Sequence, residues 1–289
     1  MNYGPNVLIL VRCRAQLGPA LLALNRTALK GPPRRQRRQC LPRLAGSKSS
    51  ASTPRRPACA PPAARGQRRR RRRRRRAWVD MKLKQLEGLL GGLTQFPNPK
   101  VELEQYATGP HIASRMLYTA ENSFDDITGK FVADFGCGCG TLAVASALLD
   151  AEHVLGIDID PQSLELAQEN AADLELDIDL IWSDIKSLSF KVLPVDTVVM
   201  NPPFGTRKRG ADMEFLAVAL KVASKAVYSL HKTSTREHIK KMALRDHNAI
   251  SAEVLCELRY DLPRTYKFHN KKEVDIAVDL WRFVPNARR

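Results

Sequence analysis

The chain has 289 residues and a formal net charge of +17, and this charge is concentrated at one end. Residues 1–80 carry 22 Lys and Arg against a single acid, Asp80, whereas residues 81–289 carry 25 basic and 29 acidic residues. No apolar run reaches the roughly 18–20 residues that a membrane helix needs, and the six cysteines lack the spacing of a disulfide framework. The composition therefore argues against a membrane protein and against a disulfide-stapled secreted domain, and it favours a reducing compartment.

Residues 1–80 are rich in Arg, Pro and Ala and include nine consecutive arginines, Arg68 to Arg76. Such a segment cannot bury enough apolar surface to offset its ordering entropy, so we predict a disordered extension before one domain at 81–289. Three interpretations stay open: a nuclear-localisation or RNA-binding arm, an organellar transit peptide, and an extension from a mis-assigned translation start. We expect the protein in nucleus and cytoplasm, and organellar targeting is less favoured.

Helix-like and strand-like patterns alternate along residues 81–289. Helices are predicted near 81–90, 110–118, 142–149, 161–172, 212–225 and 234–245, and strands near 131–135, 153–157, 178–182, 195–200, 226–230, 250–260 and 274–283. Strands that alternate with helices of this length indicate a doubly wound, mostly parallel α/β sheet, which the last two strands close as an antiparallel pair.

Polar residues and glycines follow four of the predicted strands: Asp134 with Gly136, Asp158, Asp184 and Asn201. Ligands on a doubly wound sheet bind beyond the carboxyl ends of its strands, near the point where the strand order reverses. This coincidence predicts a ligand site at the carboxyl-terminal end of the sheet.

The first of these strand ends carries an alternating-glycine loop, Asp134-Phe-Gly-Cys-Gly-Cys-Gly140, which opens onto an apolar helix. The dinucleotide fingerprint G-x-G-x-x-G fails here because residue 141 is Thr. The loop instead resembles motif I of the class I S-adenosylmethionine-dependent methyltransferases, which have a Rossmann-like, seven-stranded sheet. In that setting Asp158 can accept from the ribose hydroxyls and Asp184 from the adenine amine, while the Ile185 N–H can donate to an adenine ring nitrogen.

Asn201-Pro-Pro-Phe204 follows the fourth strand. An exocyclic aryl amine is a weak nucleophile, and two acceptors, the Asn201 side-chain oxygen and the Pro202 carbonyl, would localise its lone pair toward a donor methyl. Pro202 and Pro203 fix φ and remove competing N–H donors, and Phe204 offers a face on which a flipped base can stack. We therefore predict a catalytic clamp at these four residues.

Basic residues next to the clamp suit contacts with an RNA backbone. The candidates are Arg207, Lys208, Arg209, Lys267, Lys271 and Lys272. Cys137 and Cys139 form a C-x-C pair inside the glycine loop, but no partner pair has zinc-like spacing, so we predict no metal site.

Residues 81–285 resemble the methyltransferase-like protein 5 family, which forms N6-methyladenosine in small-subunit ribosomal RNA. The phrases that carry the resemblance are Glu104-Gln-Tyr-Ala-Thr108, the glycine loop, Asn201-Pro-Pro-Phe-Gly-Thr206, Tyr228-Ser-Leu-His-Lys232, Arg259-Tyr-Asp-Leu-Pro263 and Tyr266-Lys-Phe-His269. The resemblance implies S-adenosyl-L-methionine as the cofactor. It places the cofactor contacts at Gln105, Thr108, Gly136, Cys139, Thr141, Asp158, Asp184 and Ile185, next to Asp134 of the loop, and the clamp at Asn201, Pro202, Pro203 and Phe204.

The resemblance also implies a heterodimer with a small zinc-binding activator subunit of methyltransferases. In this fold the third strand, Ile178 to Trp182, lies at a sheet edge, and it is unusually apolar for an exposed strand. We expect the activator to dock there by adding a strand.

Two other functions stay open. The clamp can equally present a protein glutamine amide, as in release-factor methyltransferases, or the amine of another nucleic-acid base. The domain can also be a catalytically idle RNA-binding module, which predicts no thermal shift with the cofactor.

Overall fold

The computed structural model describes residues 9–12, 81–187, 195–263 and 273–286. Its strands are β1 Ile9–Arg12, β2 Phe131–Phe135, β3 His153–Asp158, β4 Asp179–Trp182, β5 Val195–Met200, β6 Ala223–Lys232, β7 Ala249–Pro263 and β8 Glu273–Pro285. Its α-helices are α1 Leu83–Gly91, α2 Pro110–Phe124, α3 Thr141–Leu148, α4 Pro161–Asp173, α5 Ala211–Val222 and α6 Arg236–Arg245.

These strands form one sheet in the order β1-β4-β3-β2-β5-β6-β8-β7. Strands β2 to β6 pair in parallel, whereas β7, β8 and β1 pair antiparallel with their neighbours. The chain runs outward from β2 through β3 to β4 and then returns to β5 on the other side of β2. The strand order therefore reverses between β2 and β5, and all seven strands predicted within residues 81–289 are confirmed.

Alternate residues of each strand supply the two faces of the core. In β2, Val132 packs with helices α1 to α4, whereas Ala133 and Phe135 pack with α5 and α6 on the opposite face. Because both faces are covered, the central strands are buried on both sides and are rich in Val, Ile and Leu. No helix among the described residues is long and apolar enough to span a membrane.

The structure departs from the predicted disorder at residues 9–12, which form β1, while the remainder of 1–80 lies outside the described residues. β1 pairs antiparallel with β4, with Ile9 opposite Trp182 and Arg12 opposite Asp179. Consequently β4, predicted as the sheet edge, has a neighbour on both sides. The physical reason is that an edge strand presents unpaired N–H and C=O groups, and a short aliphatic segment such as Ile-Leu-Val satisfies them by pairing.

The predicted helix 212–225 also differs, because α5 ends at Val222 and β6 begins directly at Ala223. Ala223 pairs with Val195 of β5. Pairing with a neighbouring strand thus outweighs the helix propensity of the Ala-Ser-Lys-Ala stretch, as tertiary context does for weak local preferences.

Candidate active site

The alternating-glycine loop turns sharply at the carboxyl end of β2. Gly136, Gly138 and Gly140 all have positive φ, at 68°, 53° and 82°, which L side chains rarely adopt. A Cβ at Gly138 would lie 2.8 Å from Cζ of Phe96, and one at Gly140 would lie 2.9 Å from Cβ of Ala167. The glycines are therefore needed both for the backbone conformation and for the space around it.

Asp134, just before this turn, is an incompletely satisfied buried carboxyl group. Its Oδ2 accepts a 2.9 Å hydrogen bond from the Ala143 N–H, and its side chain is 1% exposed. Its Oδ1 is buried and has no hydrogen-bond partner among the described residues. Burial raises the pKa of Asp134 to about 8, and the negative charge of Asp158 adds to that rise. A cationic or hydrogen-bond-donating group of a ligand would supply the missing partner of Oδ1.

Asp158 ends β3 beside the glycine turn. Its Oδ2 accepts from the Gly138 N–H at 2.8 Å and its Oδ1 from the Asp160 N–H at 2.9 Å. Burial raises the pKa of this carboxyl group as well. A carboxylate offers about four lone-pair positions, so both oxygens can still accept from ligand hydroxyls.

Asp184 and Ile185 follow β4 at the same carboxyl-terminal end of the sheet. Asp184 Oδ1 accepts from the Lys186 N–H at 3.0 Å, and its Oδ2 lies 3.6 Å from Lys186 Nζ. Ile185 is 4% exposed and belongs to the apolar cluster on the α5 and α6 face. This part of the site thus combines a half-buried carboxylate with an apolar wall, which suits a flat heterocycle that carries donors.

The predicted site residues meet in two cavities that share Gly136, Gly138 and Asn201. The larger cavity, about 240 Å³, is lined among others by Gln105, Asp158, Asp184, Ile185 and Pro203. The smaller one, about 30 Å³, is lined among others by Thr108, Asp134, Cys139 and Thr141. All nine predicted cofactor residues therefore line a common cleft together with two residues of the clamp.

The clamp leaves β5 directly beside the glycine turn, because Phe135 of β2 pairs with Met200 of β5. The amide Nδ2 of Asn201 donates to Thr108 Oγ1 at 3.0 Å, which fixes the rotation of the side chain. Pro202 and Phe204 are buried. The Phe204 ring lies 5.1 Å from the Tyr106 ring, and Lys232 Nζ lies 5.9 Å from the centroid of Phe204.

Sequence reasoning missed the residues that brace this cleft from outside the strand ends. Phe96 packs over Gly138, Glu104 is 8% exposed and accepts from the Arg207 N–H, and Tyr106 contacts the clamp. Lys100, also missed, and the predicted Gln105 both donate to Asp160, each at 2.7 Å. The polar side chains at alternate positions, Glu104, Tyr106 and Thr108, were the available signal, since alternate residues can share one face.

Arg207, Lys208 and Arg209 are exposed at the mouth of the cleft, and the first two line it. Lys208 Nζ is 2.7 Å from Glu214 Oε2 of α5. Lys267, Lys271 and Lys272 lie outside the described residues.

Cys137 and Cys139 are buried and reduced, and burial raises the pKa of each thiol. Over the part of the chain that the structure describes, no group of three or more His, Cys, Asp or Glu side chains is placed to hold a metal ion.

Comparisons with known proteins agree with this geometry. The family model "Methyltransferase small domain" matches residues 109–249. The rRNA N(6)-adenosine-methyltransferase METTL5 of Danio rerio is 53% identical over 208 residues, which cover 71% of this chain and 100% of that protein. Its counterpart from Drosophila melanogaster is 46% identical and is covered over 96% of its length.

Among solved structures, protein PH1948 from Pyrococcus horikoshii is 34% identical with a TM-score of 0.63, covering 71% of this chain and 98% of that chain. The fold, the shared cleft and the near-complete coverage of these relatives lead to one assignment. The chain belongs to the METTL5 family of rRNA N(6)-adenosine methyltransferases.

Proposed function

We propose that this chain, an S-adenosyl-L-methionine-dependent rRNA adenine-N6 methyltransferase, acts on small-subunit ribosomal RNA and receives its adenine, flipped out of the RNA, in the Asn201–Phe204 clamp. The observation that supports this most directly is the shared cleft: Gly136 and Asn201 leave adjacent strands and line the same cavities. A donor held by the glycine turn and an amine held by the clamp are thereby brought into one space.

The residues of the cleft fit S-adenosyl-L-methionine. Asp134 Oδ1, buried and short of a donor, suits the amino group of the methionine end, and the N–H groups and small surfaces of the glycine turn allow close approach. Asp158 and Asp184 would accept from the ribose hydroxyls and the adenine amine. When bound, the cofactor supplies an electrophilic methyl group on a sulfonium.

The clamp supplies orientation. The Asn201 oxygen and the Pro202 carbonyl accept the two N–H groups of the adenine amine, so that its lone pair is localised on nitrogen and directed toward the donor methyl. Pro202 and Pro203 hold the turn at fixed φ. Such positioning can provide up to roughly 7–11 kcal/mol of the barrier reduction without a strong general base.

Phe204 would contribute the stacking surface for the flipped adenine, and such stacking is worth about 1–3 kcal/mol. Its ring is 8% exposed and has Lys232 Nζ above it. Stacking on this ring therefore requires Lys232 to move aside, and a phosphate of the incoming RNA is a natural alternative partner for that ammonium group.

Arg207, Lys208 and Arg209 would bind the RNA backbone at the mouth of the cleft. Lys208 is held by Glu214 in this structure, so RNA phosphate would compete with that carboxylate. Residence in the nucleus and cytoplasm stays a prediction.

The test is methylation of candidate RNAs in vitro with labelled donor and the activator subunit, followed by nucleoside analysis. We expect labelled N6-methyladenosine with the native chain, and a loss of about a hundredfold or more in rate with Asn201→Ala, because the acceptor that orients the amine is removed. Asn122→Ala, at an exposed amide of α2, is the matched control and should keep full activity.

Three results would count against the proposal. Label in a protein glutamine rather than in RNA would favour the glutamine N5-methyltransferase alternative, and label in another base would change the substrate. Absence of any thermal shift with the cofactor, together with an unchanged function of Asn201→Ala, would favour an idle RNA-binding module.

For the partner, we propose that a small zinc-binding activator subunit docks on the β4 edge near Ile178–Trp182 by adding a strand. Because β1 occupies that edge, the activator must displace residues 9–12 to pair there. We expect Leu10→Pro, which removes a strand N–H, to raise the affinity for the activator by a few-fold, whereas Leu10→Thr should leave it near the native value. Equal affinity in all three proteins would place the docking surface elsewhere.

A further inference from the structure

The segment from Glu104 to Thr108 contacts the clamp region through alternate residues. Glu104 Oε1 accepts from the Arg207 N–H at 2.7 Å, and Thr108 Oγ1 accepts from Asn201 Nδ2 at 3.0 Å. Between them, the Tyr106 hydroxyl meets the centre of the Asn-Pro-Pro-Phe turn. We call residues 104–108 the clamp brace, since its even-numbered side chains reach the four-residue turn or the loop after it.

The Tyr106 hydroxyl connects two backbone groups of the turn. It accepts from the Phe204 N–H at 3.1 Å and donates to the Pro202 carbonyl at 3.3 Å. Its ring packs against the Phe204 ring, with centroids 5.1 Å apart and planes tilted by 32°. One side chain from a segment almost a hundred positions earlier thus holds both the middle and the end of the turn.

We propose that Tyr106 is a positioning residue for methyl transfer, which holds the Pro202 carbonyl in the orientation that accepts the substrate amine; this inference rests on the proposed function of the clamp. A carbonyl oxygen has two lone pairs, so the hydroxyl can occupy one while the other stays available to the amine. The Phe204 N–H, the next backbone donor after the two prolines, is bonded to the Tyr106 oxygen.

The brace also connects the clamp with the cofactor side of the cleft. Gln105, whose side chain extends away from the clamp, donates to Asp160 Oδ2 at 2.7 Å and to Ser163 Oγ at 3.1 Å, at the start of α4. Asp160 in turn donates its N–H to Asp158. These bonds anchor the residue next to Tyr106 to the side of the cleft that would hold the ribose.

The test is Tyr106→Phe, which removes the hydroxyl and keeps the ring, compared with Tyr118→Phe on α2, a half-buried tyrosine outside the brace. With saturating RNA and donor, we expect kcat of Tyr106→Phe to fall by roughly tenfold, as a slightly misplaced acceptor would cause, while the Kd of the donor and the KM of the RNA stay near their native values. Tyr118→Phe should keep the native kcat.

Hydrogen exchange gives a measurement that does not depend on activity. The Phe204 amide should exchange roughly tenfold faster in Tyr106→Phe, because losing a typical hydrogen bond changes the opening equilibrium by about tenfold. The amide exchange of β2 should not change. A native kcat, a raised kcat, or a donor affinity that falls by the same factor as kcat would each overturn the proposal. A native chain that forms no N6-methyladenosine would instead refute the proposed function, so the two failures are distinguishable.

Discussion

Two buried aspartates, one before β2 and one near its carboxyl end, differ in how their charge is compensated. Asp126, before β2, is 4% exposed, and its Oδ2 accepts from the Tyr228 hydroxyl at 2.8 Å and from Arg282 Nε and Nη2 at 3.1 and 3.0 Å. Asp134, at the other end of β2, is 1% exposed and receives one backbone N–H, and no salt bridge joins it to a cationic side chain within the part of the chain that the structure describes. One carboxylate is neutralised within the protein and the other is not.

The difference separates a structural acid from a functional one. The Arg282 guanidinium, which also stacks 4.3 Å from the centroid of Phe124, compensates the charge of Asp126, and the pair ties β8 to the loop before β2. Asp134 lacks such compensation, so burial favours its neutral form and raises its pKa to about 8. A buried carboxyl group without a cationic partner is typical of a binding site rather than of a hydrophobic core.

Removing the arginine tests the structural half of this comparison and should give the largest effect. Arg282→Met leaves Asp126 buried without its cation, so the free energy of unfolding should fall by about 3–5 kcal/mol. Urea unfolding at 25 °C measures this. Arg245→Met, at an exposed arginine of α6, should change the free energy by no more than about 0.5 kcal/mol. If both variants behaved alike, Asp126 would not depend on Arg282.

The functional half is tested by Asp134→Asn. The amide keeps an acceptor for the Ala143 N–H but loses the charge that would bind an ammonium group, so the affinity for S-adenosyl-L-methionine should fall by roughly ten- to hundredfold. Above about pH 8, where the native side chain is ionised, the stability of the cofactor-free protein should not fall, because a buried charge has been removed. Titration calorimetry and thermal unfolding measure the two quantities. Asp173→Asn, at an exposed position of α4, is the matched control and should change neither.

The pH dependence sharpens the comparison further. Without cofactor, Asp134 is mostly protonated below about pH 8. A cationic group beside it favours the carboxylate, so binding releases a proton and the affinity should weaken by up to about tenfold per unit as pH falls below 8. Calorimetry at pH 6 to 9, in buffers of different ionisation enthalpy, measures the release. Affinity independent of pH, or equal pH dependence in Asp134→Asn, would contradict the assignment.

The stability of the cofactor-free protein should also depend on the ionisation of Asp134, but it should fall as pH rises, whereas the affinity for the cofactor rises. The folded pKa of Asp134 lies above the unfolded value of about 3.9. Its contribution to stability is therefore fully present below that unfolded value and is lost as pH rises through about 8. The melting temperature of Asp134→Asn relative to the native chain should rise between pH 6 and 9.

The pattern of the sequence was sufficient for most of the fold and for the content of the cleft. Seven strands follow from apolar runs, four of which are followed by Asp, Gly or Asn, and their mostly parallel order follows from the helices between them. Because parallel strands place their carboxyl ends at one edge, Asp134, Asp158, Asp184 and Asn201 could be assigned to a common site before any coordinate was known. The resemblance in Glu104–Thr108 added Gln105 and Thr108.

Contacts between distant segments could not be read in this way. Residues 9–12 pair with β4 through backbone groups, which every residue has, so no residue pattern marks the partner of an edge strand. Ala223 enters a strand because Val195 lies beside it, against its local preference.

The sequence by itself determined the chemistry of this protein: which acids, glycines and amide stand at the strand ends, since the period of a strand and the needs of a turn are local. Only the tertiary structure decided which buried acid is neutralised by an arginine, and which tyrosine hydroxyl meets the clamp. The physical reason is that Asp126 with Arg282, and Tyr106 with Phe204, are 156 and 98 positions apart. Their contacts exist only once the sheet has brought the segments together.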